Sequence, residues 1–215
     1  MTTPETPTPF LVFEGPEGAG KSTQIEHLAA RLRERGHDVL VTREPGGTPP
    51  GDRIRSVLLD PELDMAPETE FLLYAAARAE HVRSLIAPAL NAGRIVLCDR
   101  FAASSVAYQG YGRGLDPTWV RDVNTHATQG LHPTATLLLD LPAAEGLARV
   151  AARGATDRLE RADLAFHERV RDGFLRQAAE DARWTALDAR QPEDTVREDV
   201  WQAVRPLFPT PVPPS

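Results

Sequence analysis

An octapeptide near the start of the chain, Gly15-Pro16-Glu17-Gly18-Ala19-Gly20-Lys21-Ser22, combines glycines, a lysine and a hydroxyl at the spacing G-x-x-x-x-G-K-[ST]. The chemistry this suits is the holding of a polyphosphate. Glycines let the backbone curl until successive N–H groups converge on phosphate oxygens, at a helix N-terminus that already favours anions. Lys21 can reach the β- and γ-phosphates as a compact charge, the Ser22 hydroxyl can ligate Mg²⁺, and Thr23 carries the loop into its helix. Composition points to a special demand for lysine here: of the 24 basic residues 23 are arginine, and only Lys21 is lysine. A planar guanidinium fork does not fit inside such a loop. Without phosphate, Lys21 is expected to stand in solvent.

A second group of candidates closes the run Ile95-Val96-Leu97-Cys98-Asp99-Arg100. An aspartate at the C-terminal end of a buried strand points into the crevice where α/β sheets bind ligands. Asp99 is then placed for Mg²⁺ or its water shell, and Arg100 for an anionic phosphoryl group; the plainer alternative is a strand exit capped by an ion pair. Arg43 follows the run Val39–Val41 and comes to the same sheet edge, unless it only pairs with Glu44 on the surface. Cys98 reads as a core residue. The six histidines are scattered without metal-ligand spacing and are assigned no metal.

The elements that must position these residues are legible as alternating patterns. Apolar runs at Phe10–Phe13, Val39–Val41, Ile95–Cys98, Thr136–Leu141 and Trp184–Leu187 alternate with helical periods at Ser22–Arg35, Glu68–Ala92, Pro117–Gln129, Ala143–Ala152 and Asp163–Asp181. Short apolar runs between helices are the pattern of a parallel sheet covered on both faces, hence a three-layer α/β domain. A chain of 215 residues favours one domain over residues 10–205, with the proline-rich segments 1–9 and 206–215 as disordered tails. No apolar run is long enough to span a membrane, and the N-terminal residues lack the charge and apolar stretch of a secretory signal. A single cysteine excludes a disulfide framework, so the cytoplasm is expected. A net charge of −7 argues against nucleic-acid binding, though a few converging arginines can still hold a small anion.

The phosphate loop alone does not separate kinases, GTPases, motors and partition ATPases. GTPases usually read guanine through a second lysine, which this chain lacks. Partition ATPases usually carry an extra lysine where Pro16 stands. A motor would need more chain and a basic track. A small kinase remains.

Several separated motifs resemble those of the thymidylate kinases: FEGPEGAGKST (Phe13–Thr23), TREPGG (Thr42–Gly47), YAAAR (Tyr74–Arg78), DRFAASSVAYQGYGRG (Asp99–Gly114), ARGATDRLE (Ala152–Glu160) and DARQPEDTV (Asp188–Val196). The resemblance runs from Phe10 to Trp201. It implies a P-loop NTPase fold with a five-stranded parallel sheet, a homodimer, and transfer of the γ-phosphoryl group of Mg²⁺-ATP to dTMP, giving dTDP and ADP. It also implies roles for individual residues. Arg43 and Arg100 would clamp the dTMP phosphate. Tyr74 would stack on the base, and Arg78, four residues on along the same helix face, would donate to thymine O4. Glu17 would hold the sugar 3′-OH, with Ser105 and Tyr108 facing base and sugar; the family commonly has Thr or Asn in place of Ser105. Arg149 and Arg153 would act from a lid at about 149–160 that also contains Arg158, Arg153 being the better candidate to stabilise charge on the transferring group. Arg190 would lie on the adenine side. Gln109 and Arg113 receive no individual role. The near alternative is a kinase for another nucleoside monophosphate or a deoxynucleoside, and the distant one a non-catalytic ATP-binding switch.

Overall fold

A computed structural model of the chain describes residues 8–152, 154 and 158–208. Five strands form one sheet: β1 (Phe10–Glu14), β2 (Val39–Arg43), β3 (Ile95–Asp99), β4 (Ala135–Asp140) and β5 (Trp184–Asp188), in the order β2-β3-β1-β4-β5. Every pairing is parallel, with Phe10 beside Val96 and Leu11 beside Ala135. All five residues of β1 are buried, as expected of a central strand covered on both faces. Alternate side chains enter different cores. Leu11 and Phe13 pack with Ile25, Leu28 and Leu32 of α1 (Lys21–Glu34) and with Val196, Val200 and Trp201 of α9 (Glu193–Val204). Phe10 and Val12 pack on the other face with Val82, Ile86 and Phe101. This is the expected three-layer architecture.

The remaining helices among the described residues are α2 (Pro49–Leu59), α3 (Pro67–His81), α4 (Ala87–Asn91), α5 (Ala102–Ser105), α6 (Pro117–Ala127), α7 (Ala143–Ala151) and α8 (Leu164–Glu180). The continuous helical period expected over 68–92 is interrupted by a π-helical stretch, Val82–Ile86. Pro88, just downstream, has no N–H and would clash with a carbonyl one turn back, so a widened turn is the accommodation. A second π-helical stretch, Val106–Gly112, extends α5. Three helices, α2, α5 and α9, fall outside the expected helical periods. Pro49 and Pro50 look like breakers, yet they begin α2 under a Thr48 cap that accepts from Gly51 N, and proline is tolerated at a helix start.

The tail boundary at 206 needs correction. Arg205–Leu207 form a 3-10 turn, and Phe208 is buried against Trp201, their rings stacked with centroids 6.5 Å apart. The apolar content of Leu207 and Phe208 outweighs the neighbouring prolines. Among the described residues, no helix is long and apolar enough to cross a membrane.

Candidate active site

The sheet order changes direction at β1, which has β3 on one side and β4 on the other, and the crevice lies beyond the carboxyl ends of these strands. A cavity of about 680 Å³ opens there. One side is the loop from Glu17 to Thr23; the other carries Arg43, Tyr74, Arg78, Arg100, Ser105 and Tyr108. Gly15 and Pro16 stand behind the cavity and act through their carbonyls, which accept from Lys21 Nζ at 3.2 and 3.0 Å. Lys21 is therefore not solvated as expected: it is 7% exposed, and burial together with the nearby Arg100 lowers its pKa. The amine is folded back on the backbone of its own loop.

The loop's shape depends on close backbone contact with α7. Gly18 has φ +71°, and a Cβ there would strike the carbonyl of Gly146, while a Cβ on Gly146 would strike the carbonyl of Glu17. Two glycines thus allow the start of α7 to rest directly on the crest of the loop. One turn further, Arg149 Nη1 reaches the carbonyls of Gly18 and Ala189 at 3.4 and 3.3 Å.

Ser22 Oγ donates to Asp99 Oδ2 at 2.8 Å, while Asp99 Oδ1 is buried without a hydrogen-bond partner. An orphaned carboxylate oxygen beside a hydroxyl suits a hard cation with oxygen ligands. Among the described residues no group of three or more His, Cys, Asp or Glu side chains could hold a metal alone, so phosphate oxygens and water would complete such a site.

Arg100 adopts φ +69°, which turns its side chain back over the phosphate loop. Nη2 donates to Glu17 Oε1 at 2.7 Å, and Nη1 donates to the Gly15 carbonyl at 2.9 Å. Tyr108 donates its hydroxyl to the same Glu17 oxygen at 2.7 Å. Burial alone would raise the pKa of Glu17, but Arg100, Lys21 and the Tyr108 hydroxyl outweigh it and hold the carboxyl down to about 2. Arg43 is largely exposed and only loosely paired, 3.7 Å from Asp52 Oδ1. Its sequence neighbour Glu44 is not its partner. Glu44 turns inward, where Arg78 Nε donates to it at 2.7 Å.

Arg78 is 1% exposed and heavily bonded: beyond Glu44, it donates to Ser105 Oγ, Asn124 Oδ1 and the Phe101 carbonyl. Tyr74 is both wall and core, packing in one cluster with Leu58, Tyr108 and Leu159. Arg158 Nη1 lies 2.6 Å from Glu70 Oε2, and Gln109 and Arg113 donate to the same carboxylate. Arg190 is not brought to the cavity; its fork grips Asp188 at the end of β5. Arg153 lies outside the described residues.

Several residues at or beside the site carry no role in the sequence reading, although Glu14, Leu159 and Glu160 fall within its motifs. Arg55 of α2 lines the cavity and donates to the Pro45 carbonyl, but α2 itself was not visible. Leu159 and Glu160 line the cavity from the segment after Arg158. Glu14, the last residue of β1, is fully buried and accepts from Phe101 N, Ser104 N and Ser104 Oγ. A carboxylate ending an otherwise apolar strand was the available signal.

Comparison with known proteins agrees over nearly the whole length. The sequence profile of a family described as thymidylate kinase matches residues 13–200. A thymidylate kinase from Deinococcus radiodurans is 57% identical over 196 residues, covering 91% of this chain and 95% of that protein. One from Thermomicrobium roseum is 55% identical over 197 residues, covering 91% and 93%. The crystal structure of thymidylate kinase from Ehrlichia chaffeensis superimposes with a TM-score of 0.74 at 32% identity, covering 91% of this chain and 98% of that one.

Proposed function

The chain belongs to the thymidylate kinase family, and from that premise we propose how its residues divide the labour of moving a phosphoryl group from ATP to dTMP. The enzyme is a nucleoside monophosphate kinase, a phosphotransferase. The loop Gly15–Thr23 takes the ATP phosphates, and Lys21 exchanges the carbonyls of Gly15 and Pro16 for β- and γ-oxygens. Arg100 and Arg43 take the phosphate of dTMP. Little covalent work falls to the protein in such a transfer, so positioning and charge stabilisation carry it. Ser22 and Asp99 would hold Mg²⁺, which would supply positive charge against that of the phosphates.

On the acceptor side, Tyr74 offers an aromatic face to the base, Arg78 a donor to its O4, and Ser105 and Tyr108 line base and sugar. Glu17 holds the 3′-OH. The observation that carries the reading is that Arg43 and Arg100 line the same cavity as the phosphate loop, with Glu17 held by Arg100 and Tyr108. A nucleoside kinase needs a carboxylate able to take the 5′-OH proton, and a group held near pKa 2 is a poor base. A phosphate-accepting site instead needs cations, and Arg43 and Arg100 supply them.

Arg149 already lies on the loop, and Arg153 is proposed as the lid arginine that neutralises charge on the transferring group. Arg190 is retained as an adenine-side residue through the loop after β5. The reading also takes a homodimer in the cytoplasm, supported by exposed Leu72 and Trp119 on adjoining helices and by the lone buried Cys98, and no nucleic-acid or membrane partner. The test is coupled ADP release against a panel of nucleosides and monophosphates. The expected order of kcat/KM is dTMP first, dUMP about tenfold lower for its missing methyl, and dCMP lower still. Equal use of dCMP and dTMP would remove the base assignment, and preference for a nucleoside would remove the acceptor assignment.

A further inference from the structure

The cluster that holds Arg78 runs from the cavity wall, which Arg78 and Glu44 line, into the core at His81 and Thr42. Its members come from two places. Thr42 is in β2 and Glu44 and Gly47 belong to the segment leaving it, while Arg78 and His81 are three apart on α3 and share a face. Arg78 Nε donates to Glu44 Oε2 at 2.7 Å, and His81 Nδ1 lies 3.2 Å from the other oxygen, Oε1. His81 Nε2 lies 2.7 Å from Thr42 Oγ1. All four side chains are buried, His81 completely. A Cβ at Gly47 would come within 2.8 Å of His81 Nε2 and 2.7 Å of Thr42 Oγ1, so glycine is what lets the chain close over the ring.

The hydrogen bonds assign the proton. A carboxylate only accepts, so His81 Nδ1 carries hydrogen and donates to Glu44. In the neutral ring Nε2 is then an acceptor, and the Thr42 hydroxyl donates to it. The chain of bonds runs from Thr42 through His81 to Glu44, where Arg78 meets it from the other side. At Arg78, four of the five N–H donors go to Glu44, Ser105, Asn124 and Phe101, leaving one on Nη2. The guanidinium plane cannot turn without breaking the bond to Glu44.

We propose that His81 is a positioning residue for base selection: by holding Glu44 it fixes the plane of Arg78, so that the one remaining N–H favours a base with a carbonyl over one with an amino group. The inference rests on the reading of Arg78 as the base contact. It gives the Thr42–Gly47 motif a physical purpose beyond supplying Arg43.

The test compares kcat/KM for dTMP and dCMP in the wild type, His81→Asn, His81→Gln and Arg78→Lys, each first shown to be folded. Asparagine places its amide near the position of Nδ1 and keeps a donor for Glu44. Glutamine reaches toward Nε2 and leaves Glu44 without one. The ratio of the two substrates is the readout, because general structural damage lowers both together. His81→Gln is expected to lower the dTMP/dCMP ratio by about tenfold or more, and His81→Asn by less than about threefold. If Arg78→Lys leaves the ratio unchanged, the base reading fails and the inference with it. If Arg78→Lys collapses the ratio while His81→Gln does not, the inference alone is wrong. Should the histidine variants fold poorly, Glu44→Gln serves: its amide nitrogen facing Nδ1 requires the opposite ring tautomer, visible in the nitrogen NMR signals of His81. Unchanged signals in that variant would overturn the assignment.

Discussion

Glu14 shows how a residue outside the cavity's lining can shape the site, through its hold on Phe101 and Ser104. Burial raises its pKa to about 7, although Arg100, Ser104 and the Phe101 N–H pull the other way. A carboxyl whose folded value exceeds its ordinary 4.5 binds its proton more tightly folded than unfolded. Its ionised form therefore opposes folding above about pH 7, and that cost is relieved as pH falls toward 4.5. Glu17 has the opposite sign and a lower window: its stabilisation is present above its ordinary 4.5 and is lost as pH falls toward 2. Denaturant unfolding should therefore show the wild type gaining about 1–2 kcal/mol relative to Glu14→Gln between about pH 8 and pH 5.5. Parallel profiles would mean that Glu14 does not titrate in this range. The residues legible in the sequence were those whose spacing is local: the phosphate loop, and Asp99 with Arg100. Glu44 had no role in the sequence beyond the lesser alternative of pairing with Arg43, yet it pairs with Arg78 across 34 positions, and spacing along the chain cannot show such a contact.

Among the elements, α7 has the most direct hold on the phosphate loop, through the reciprocal approach of Gly18 and Gly146 and through Arg149. The same helix leads into the segment that bears Arg153. Gly146→Ala must separate the two backbones, since neither carbonyl is the movable end of a side chain. It should destabilise the fold by about 1–3 kcal/mol and raise the KM for ATP by roughly tenfold, with little change in the KM for dTMP. Steady-state kinetics with each substrate varied would check this, and a change confined to dTMP would contradict it. The inner strands β1, β3 and β4 were legible as apolar runs because their residues are almost all buried, while the edge strands β2 and β5, with exposed residues, give shorter or weaker runs. The helices were less so. α2 hides behind its opening prolines, and α9 begins directly after Pro192 with acidic residues that look like loop.

At the scale of the molecule, Leu72 and Trp119 are 50% and 37% exposed although they sit on α3 and α6, helices that pack on one another. A second copy of the chain is the proposed cover. Leu72→Glu should convert a dimer to a monomer in sedimentation equilibrium while leaving the far-ultraviolet spectrum intact; an unchanged mass would place any dimer contact elsewhere. The lone lysine has a consequence of another kind. Apart from the terminal α-amine, Lys21 Nζ is the one aliphatic amine in the sequence, and burial beside Arg100 lowers its pKa. An amine-directed acylating reagent therefore has a single internal target, at the centre of the nucleotide site. A lysine-specific protease likewise has one bond to cut. The enzyme carries its own reporter, in which the mass of one peptide tells whether the Lys21 amine was held on its loop or within reach when the reagent arrived.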